Sequence, residues 1–249
     1  MKPNIRIGTS GFHYEHWQGP FYPEGVKPKD FLTFYTRFFD TVELNNTFYQ
    51  LPRATTVEHW RDLVGNDFIF AIKGSRYITH LKRLLDPADS IKIFFDRIEL
   101  FADRAGPILW QLPPKFTADP DRLRAFLKLL PRDYDHVFEF RDPSWFTPIV
   151  YSILEKRKAG FCIFDRGDWL SPQIITSDII YIRLHGPQAM YAGKYPKKSL
   201  QHWAELIEKW SHQSRATYAY FNNDQSGFAV ENALTLKKLL HQPTPSILH

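Results

Sequence analysis

Short apolar runs alternate along the chain with longer segments that carry a helical apolar stripe. The runs read as strands over Ile5–Gly8, Thr41–Asn45, Phe68–Lys73, Pro107–Gln111, His136–Arg141, Gly160–Asp165, Ile179–His185 and Thr217–Asn222. Between them the i, i+3, i+4, i+7 spacing predicts amphipathic helices. One stripe is Ile91, Phe94, Phe95, Ile98, Phe101 and Ala102; the next is Leu123, Phe126, Leu127 and Leu130. Leu200, Trp203, Ala204, Ile207 and Trp210 mark a third, and Ala229, Ala233, Leu236 and Leu240 the last. Asp119-Pro120 has the form of a helix start, and Gly160 follows a helix end. Eight strands in strict alternation with helices predict an α/β fold, a single (β/α)8 TIM-type barrel over residues 1–249. A doubly wound open sheet is the rival topology.

Side chains two apart on a strand share a face. With Val42, Leu44, Phe70, Ile72, Ile108, Trp110, Phe138, Phe140, Ile182 and Leu184 set toward the helices, the opposite parity points into the barrel. That inner set ends in Glu43 and Asn45, Lys73, Gln111, Glu139 and Arg141, Arg183 and His185, and Asn222. In the sixth strand the same reading places Phe161, Ile163 and Asp165 inward. Polar groups therefore gather at the C-terminal strand ends, the face where barrels of this kind do chemistry. Burying charge without a partner is costly, so the cluster needs a cause.

Two causes compete. One is a balanced internal network that closes the barrel top, with Glu43–Lys73 or Glu139–Arg183 ion pairs. The other is an active site. There Glu43, Glu139, His185 and Asp165 are candidates for acid/base work, and Lys73, Arg141, Arg183, Asn45, Gln111, Asn222 and Asn223 hold the substrate. Lys73 is an ion-pair or phosphate contact, or a Schiff-base nucleophile if desolvated. Long segments after the first and seventh strands, Thr9–Lys27 and His185–Lys198, bring Tyr14 and Trp17, and Lys194, Lys197 and Lys198, toward the same face. The loop after the eighth strand, Asn222-Asn223-Asp224-Gln225-Ser226-Gly227, opens a helix and suits an anion unless Asp224 caps it. A divalent metal on Glu43, Glu139, Asp165 and His185 is a lesser alternative. No HxH, HExxH or cysteine pair supports it, and three cations stand nearby, so no cofactor is expected.

Composition narrows the partners. A net charge of +5 tilts the protein toward anions without the dense basic arms of obligate nucleic-acid binders. The single cysteine, Cys162, leaves no internal disulfide and fits a reducing compartment. With no apolar signal region at the start and no 18-residue apolar run, a cytoplasmic protein with no membrane partner is expected. No oligomeric interface is legible in the pattern.

Several stretches carry a family resemblance: Ile7-Gly8-Thr9-Ser10-Gly11, Val42-Glu43-Leu44-Asn45-Asn46-Thr47-Phe48-Tyr49, Phe70-Ala71-Ile72-Lys73, Gln111-Leu112-Pro113-Pro114, Glu139-Phe140-Arg141-Asp142-Pro143-Ser144-Trp145, Arg183-Leu184-His185-Gly186-Pro187 and Phe221-Asn222-Asn223-Asp224. Together they resemble the YecE-like proteins, a domain of unknown function numbered 72, over roughly residues 5 to 240. The resemblance implies a TIM-type barrel and assigns no reaction. Three functions are carried forward. The first is an enzyme using general acid/base chemistry on a small anionic, phosphorylated substrate, as a hydrolase, lyase or isomerase. The second is a nucleic-acid binding or processing protein whose basic loops follow the backbone while Trp17, Tyr14 or Tyr49 stack on bases. The third is a non-catalytic ligand-binding barrel. Glycoside hydrolysis ranks lower, since Gln111 and His185 end strands where a carboxylate pair would be needed.

Overall fold

A computed structural model describes residues 3–167, 169–188 and 191–245; Ala189 and Met190, within the long segment after the seventh strand, lie outside the described residues. The strands are β1 (Ile5–Thr9), β2 (Thr41–Leu44), β3 (Ile69–Lys73), β4 (Ala105–Gln111), β5 (His136–Glu139), β6 (Gly160–Asp165), β7 (Ile179–Leu184) and β8 (Ala216–Phe221). The helices are α1 (Phe31–Tyr35), α2 (Asn46–Tyr49), α3 (Ala54–Leu63), α4 (Ala88–Ile98), α5 (Pro120–Leu129), α6 (Pro148–Lys156), α7 (Lys197–Ser211) and α8 (Phe228–Leu239). All strand pairs are parallel, in the order β1-β8-β7-β6-β5-β4-β3-β2. The ends of that sheet meet: Ser10 bridges Glu43, and the Gly11 N–H donates to the Glu43 carbonyl at 2.8 Å. A closed barrel, not an open sheet, results.

The β1/β2 seam is closed lower down by a side chain. The Tyr35 hydroxyl from α1 accepts from the Thr9 N–H and donates to the Thr41 carbonyl, both at 3.0 Å, where a ladder bond would otherwise run. Gly8 permits this approach, since a Cβ there would lie 2.4 Å from the Thr41 carbonyl oxygen.

Two apolar layers follow from strand alternation. Leu109, Val137, Cys162, Tyr181, Tyr218 and Tyr220 fill the barrel interior. Phe70, Trp110, Phe138, Ile182, Phe221 and their neighbours pack outward against the helices. The helical stripes hold in α5, α7 and α8. In α4 the stripe ends sooner than its spacing predicts: the helix stops at Ile98, and Ala102 is exposed with φ at 48°. Asp119 caps α5 by accepting from the Arg122 N–H at 3.0 Å.

Strict alternation fails once. No helix lies among the described residues between β6 and β7. Gly167, Pro172 and the β-branched Ile174-Ile175-Thr176 disfavour one. The segment instead hydrogen-bonds to β6: the Ser171 N–H reaches the Phe164 carbonyl at 3.0 Å, and the Phe161 N–H reaches Thr176 Oγ1 at 2.8 Å.

Candidate functional site

The inward parity of β2, β3, β4, β5, β7 and β8 brings most of the predicted polar set to one mouth. At its centre Arg183 bridges two carboxylates, Nη2 to Glu43 Oε1 and Nη1 to Glu139 Oε2, each at 2.7 Å, and all three side chains are enclosed. Glu43 also accepts from the Tyr181 hydroxyl at 2.7 Å and from Ser10 Oγ. Glu139 pairs with Arg141 Nε as well, while Cys162 Sγ lies 3.7 Å from it. Burial alone would raise the Glu139 pKa. The Arg141 and Arg183 charges outweigh that and hold it well below the usual carboxylate range. The expected Glu139–Arg183 pair is therefore present. Glu43 pairs with Arg183 rather than with Lys73.

His185 is buried beside this network. Burial first, and the Arg183 charge next, push its pKa down to about 3, so the ring is neutral at pH 7. Arg141 Nη2 lies 2.8 Å from Nε2 and can only donate, so Nε2 accepts and the ring proton sits on Nδ1. The Asn222 amide, 3.1 Å from Nδ1, must then present its oxygen there.

Lys73 stands apart from the ion pairs. It is buried at the end of β3, its Nζ 4.1 Å from the centre of the Phe48 ring. Among the described residues no carboxylate lies within 4.0 Å of it. Desolvation, then repulsion from Arg183, lowers its pKa to about 7. Asn45 donates from Nδ2 to Ser10 Oγ at 2.7 Å. Since that hydroxyl gives its proton to Glu43, the orientation of the amide is fixed, and Oδ1 is left buried without a donor. Gln111 sits half-buried at the end of β4, in register with Glu139, and Tyr14, also half-buried, donates its hydroxyl to the Ser10 carbonyl at 2.7 Å.

Three predicted site residues are elsewhere. Asp165 faces the helix layer, where its carboxylate meets Tyr195 and Trp203 and accepts from the Gly167 N–H at 2.9 Å. The phase of β6 is the reverse of that predicted: Cys162 and Phe164 point inward, in register with Tyr181 and Arg183. Four consecutive apolar residues, Phe161 to Phe164, give alternation nothing to act on. Trp17, expected over a ligand or base, is core, packed on Phe21 and Tyr22. Asn223 is buried as a strut, donating to the Gly193 carbonyl at 2.8 Å and to Asn232 Oδ1 at 2.9 Å.

Of the loops expected to suit an anion, one has lost a free lysine, since Lys194 is paired with Glu231, and the other keeps its helix start, after Gly227, uncapped by Asp224. Sequence reasoning missed Ser10 and Tyr181 as network members, although both share the inward parity of Gly8 and Arg183. It missed Phe164 too, whose ring lies 4.9 Å from the Arg141 guanidinium. Among the described residues no group of three or more His, Cys, Asp or Glu could hold a metal ion, and no helix is long and apolar enough to cross a membrane.

A family model described as a protein of unknown function, DUF72, matches residues 6–248. The chain belongs to this family. Its relatives include the UPF0759 protein YecE of Escherichia coli (strain K12), 36% identical over 241 residues that cover 86% of each chain. The UPF0759 protein YunF of Bacillus subtilis (strain 168) is 25% identical, covering 95% of this chain and 94% of the relative. A DUF72 family crystal structure from Thermotoga maritima MSB8 superposes with a TM-score of 0.88 at 31% identity, covering 96% of this chain and 100% of that one. A second, from Enterococcus faecalis V583, gives 0.81 at 19% identity, with 98% of each covered. The barrel is thus the fold of the DUF72 family.

Proposed function

We propose that this DUF72 barrel is an enzyme acting on a small anionic, phosphorylated substrate at its C-terminal mouth, with Lys73 as the group that meets the anion and exchanges a proton. The observation that carries this reading is the unpaired Lys73 ammonium. The two arginine charges cancel the two glutamates and His185 is neutral, so Lys73 leaves the mouth one positive charge in excess whenever it is protonated. An anion would supply the missing partner. A group titrating near pH 7 is also suited to general acid/base work at neutral pH. In this reading Glu43 and Glu139 hold Arg183, and Arg183 and Arg141 fix the floor against which the substrate lies. Closing a barrel does not need such a network: well-packed apolar residues often replace buried ion pairs without loss of stability. A cytoplasmic setting belongs to the same proposal.

The test is calorimetric titration of inorganic phosphate into the wild type and Lys73→Met in buffers of different ionisation enthalpy near pH 7.5. Saturable binding with proton uptake is expected for the wild type, and neither for the variant. Failure of the wild type to bind phosphate at millimolar concentration, or binding undiminished in Lys73→Met, overturns the reading.

A further inference from the structure

Beside the mouth lies a cavity of about 410 Å³ between the loop after β1 and the segment that carries α2. Small-molecule sites span roughly 300–1,000 Å³, so it suits a compact group. Its walls include Phe12, Tyr14, Leu44, Asn45, Tyr49 and Trp60. Phe12 and Trp60 meet edge to face with ring centres 6.1 Å apart. Tyr49 is 74% exposed, an unusual state for so large a ring.

The cavity adjoins Lys73 through two elements. Leu44 pairs with Ile72 in the sheet, so Asn45 and Lys73 are the next residues along neighbouring strands, which run about 4.8 Å apart. α2 links them again: Phe48 lies against the Lys73 ammonium and the adjacent Tyr49 lines the cavity. One turn thus gives consecutive rings to the cation and to the cavity.

From this we infer that the substrate of the mouth is an anion carrying a flat aromatic ring, with the charge on Lys73 and the ring between Tyr49 and Trp60. The inference rests on the anion reading given above and adds the class of molecule. Four aromatic side chains, Phe12, Tyr14, Tyr49 and Trp60, stand beside the polar His13, Asn45 and Asn46 in the walls, and their ring faces favour a flat ring over a sugar. Lys73 is not itself a wall of the cavity, so the ligand must reach past Asn45 from the ammonium to the rings, and a ring joined directly or by a short spacer to its phosphate is the simplest molecule that does so.

Affinities of inorganic phosphate, glycerol 1-phosphate, phenyl phosphate and uncharged benzyl alcohol for the wild type and for Tyr49→Ser separate the two ideas. Tyr49 is exposed, so its replacement leaves the core intact. In the wild type, phenyl phosphate should bind about tenfold tighter than glycerol 1-phosphate, the size of one well-packed aromatic contact. In Tyr49→Ser that ratio should fall to about twofold or less. Equal affinities for the two esters in the wild type, or a ratio that survives the substitution, overturn the ring subsite even when inorganic phosphate binds. If no phosphate binds, the anion reading falls alone provided that benzyl alcohol still binds the wild type and is lost in Tyr49→Ser. Absence of that difference removes both.

Discussion

Replacing Arg183 by Met is the sharpest perturbation available to the barrel mouth. Methionine keeps much of the aliphatic volume, so the change is mainly one of charge. Glu139 retains Arg141, but Glu43 is left with the Tyr181 and Ser10 hydroxyls and no cation. Two unit charges about 4 Å apart attract by about 4 kcal/mol at an effective dielectric constant of about 20. Removing one partner of a buried pair costs about 3–5 kcal/mol by comparison with other proteins. Both routes give a loss of about 4 kcal/mol for Arg183→Met, a large share of the total stability of an ordinary domain. Adding Glu43→Gln removes the stranded charge, so the double variant should recover about half of the loss. The assay is urea unfolding at pH 7 followed by tryptophan fluorescence, with the midpoint converted through the slope. A single variant within about 1 kcal/mol of wild type would contradict the reasoning, as would a double variant less stable than Arg183→Met.

Other consequences can be checked with the same measurement. His136, pushed down to about 4 by burial, and His185, pushed down to about 3, have folded pKa values below the unfolded value of about 6.5. His80 is pushed down to about 4 as well, by burial and the Lys73 charge, so the unfolded chain binds more protons as the pH falls below 6.5, and stability should drop steeply, by roughly 3 kcal/mol per pH unit, between pH 6 and 4.5. A flat profile there would remove the neutral assignments. Lys73 has a folded pKa of about 7 against 10.5, so wild-type stability should rise with pH across that window. Lys73→Met should accordingly melt above the wild type at pH 7, with the gap closing toward pH 10, whereas equal melting at pH 7 would mean the ammonium is not strained. Tyr35→Phe removes the hydroxyl shared by Thr9 and Thr41 and should cost about 1–3 kcal/mol. An unchanged midpoint would mean that the seam closes without it.

The amphipathic stripes and the count of apolar runs were sufficient for the barrel, because burial of one helical stripe and of both sheet faces leaves a periodic trace in composition. Where a strand carries polar groups on its inner face, as in β2, β5 and β7, the phase is legible too, so alternation alone places Glu43, Glu139, Arg141, Arg183 and His185 together. β6 lacks that contrast. Its phase, and with it the position of Asp165, is set by pairing with β7, a long-range contact that no local pattern records. That no helix lies among the described residues between β6 and β7 has a local cause, since Gly167, Pro172 and the β-branched residues stand in the sequence.

What the chain could not disclose alone is partner choice. Arg183, Arg141 and Lys73 are cations of equal formal charge in the sequence, yet two neutralise glutamates and the third lies against Phe48 with no carboxylate partner among the described residues. Trp17 and Tyr49 are both aromatic residues outside the strands; one is buried with Phe21 and Tyr22 and the other lines an open cavity. Local sequence fixes which face of an element a side chain leaves from. Only the closed barrel fixes which groups lie a few ångströms away, and at that range the distance decides charge state and exposure.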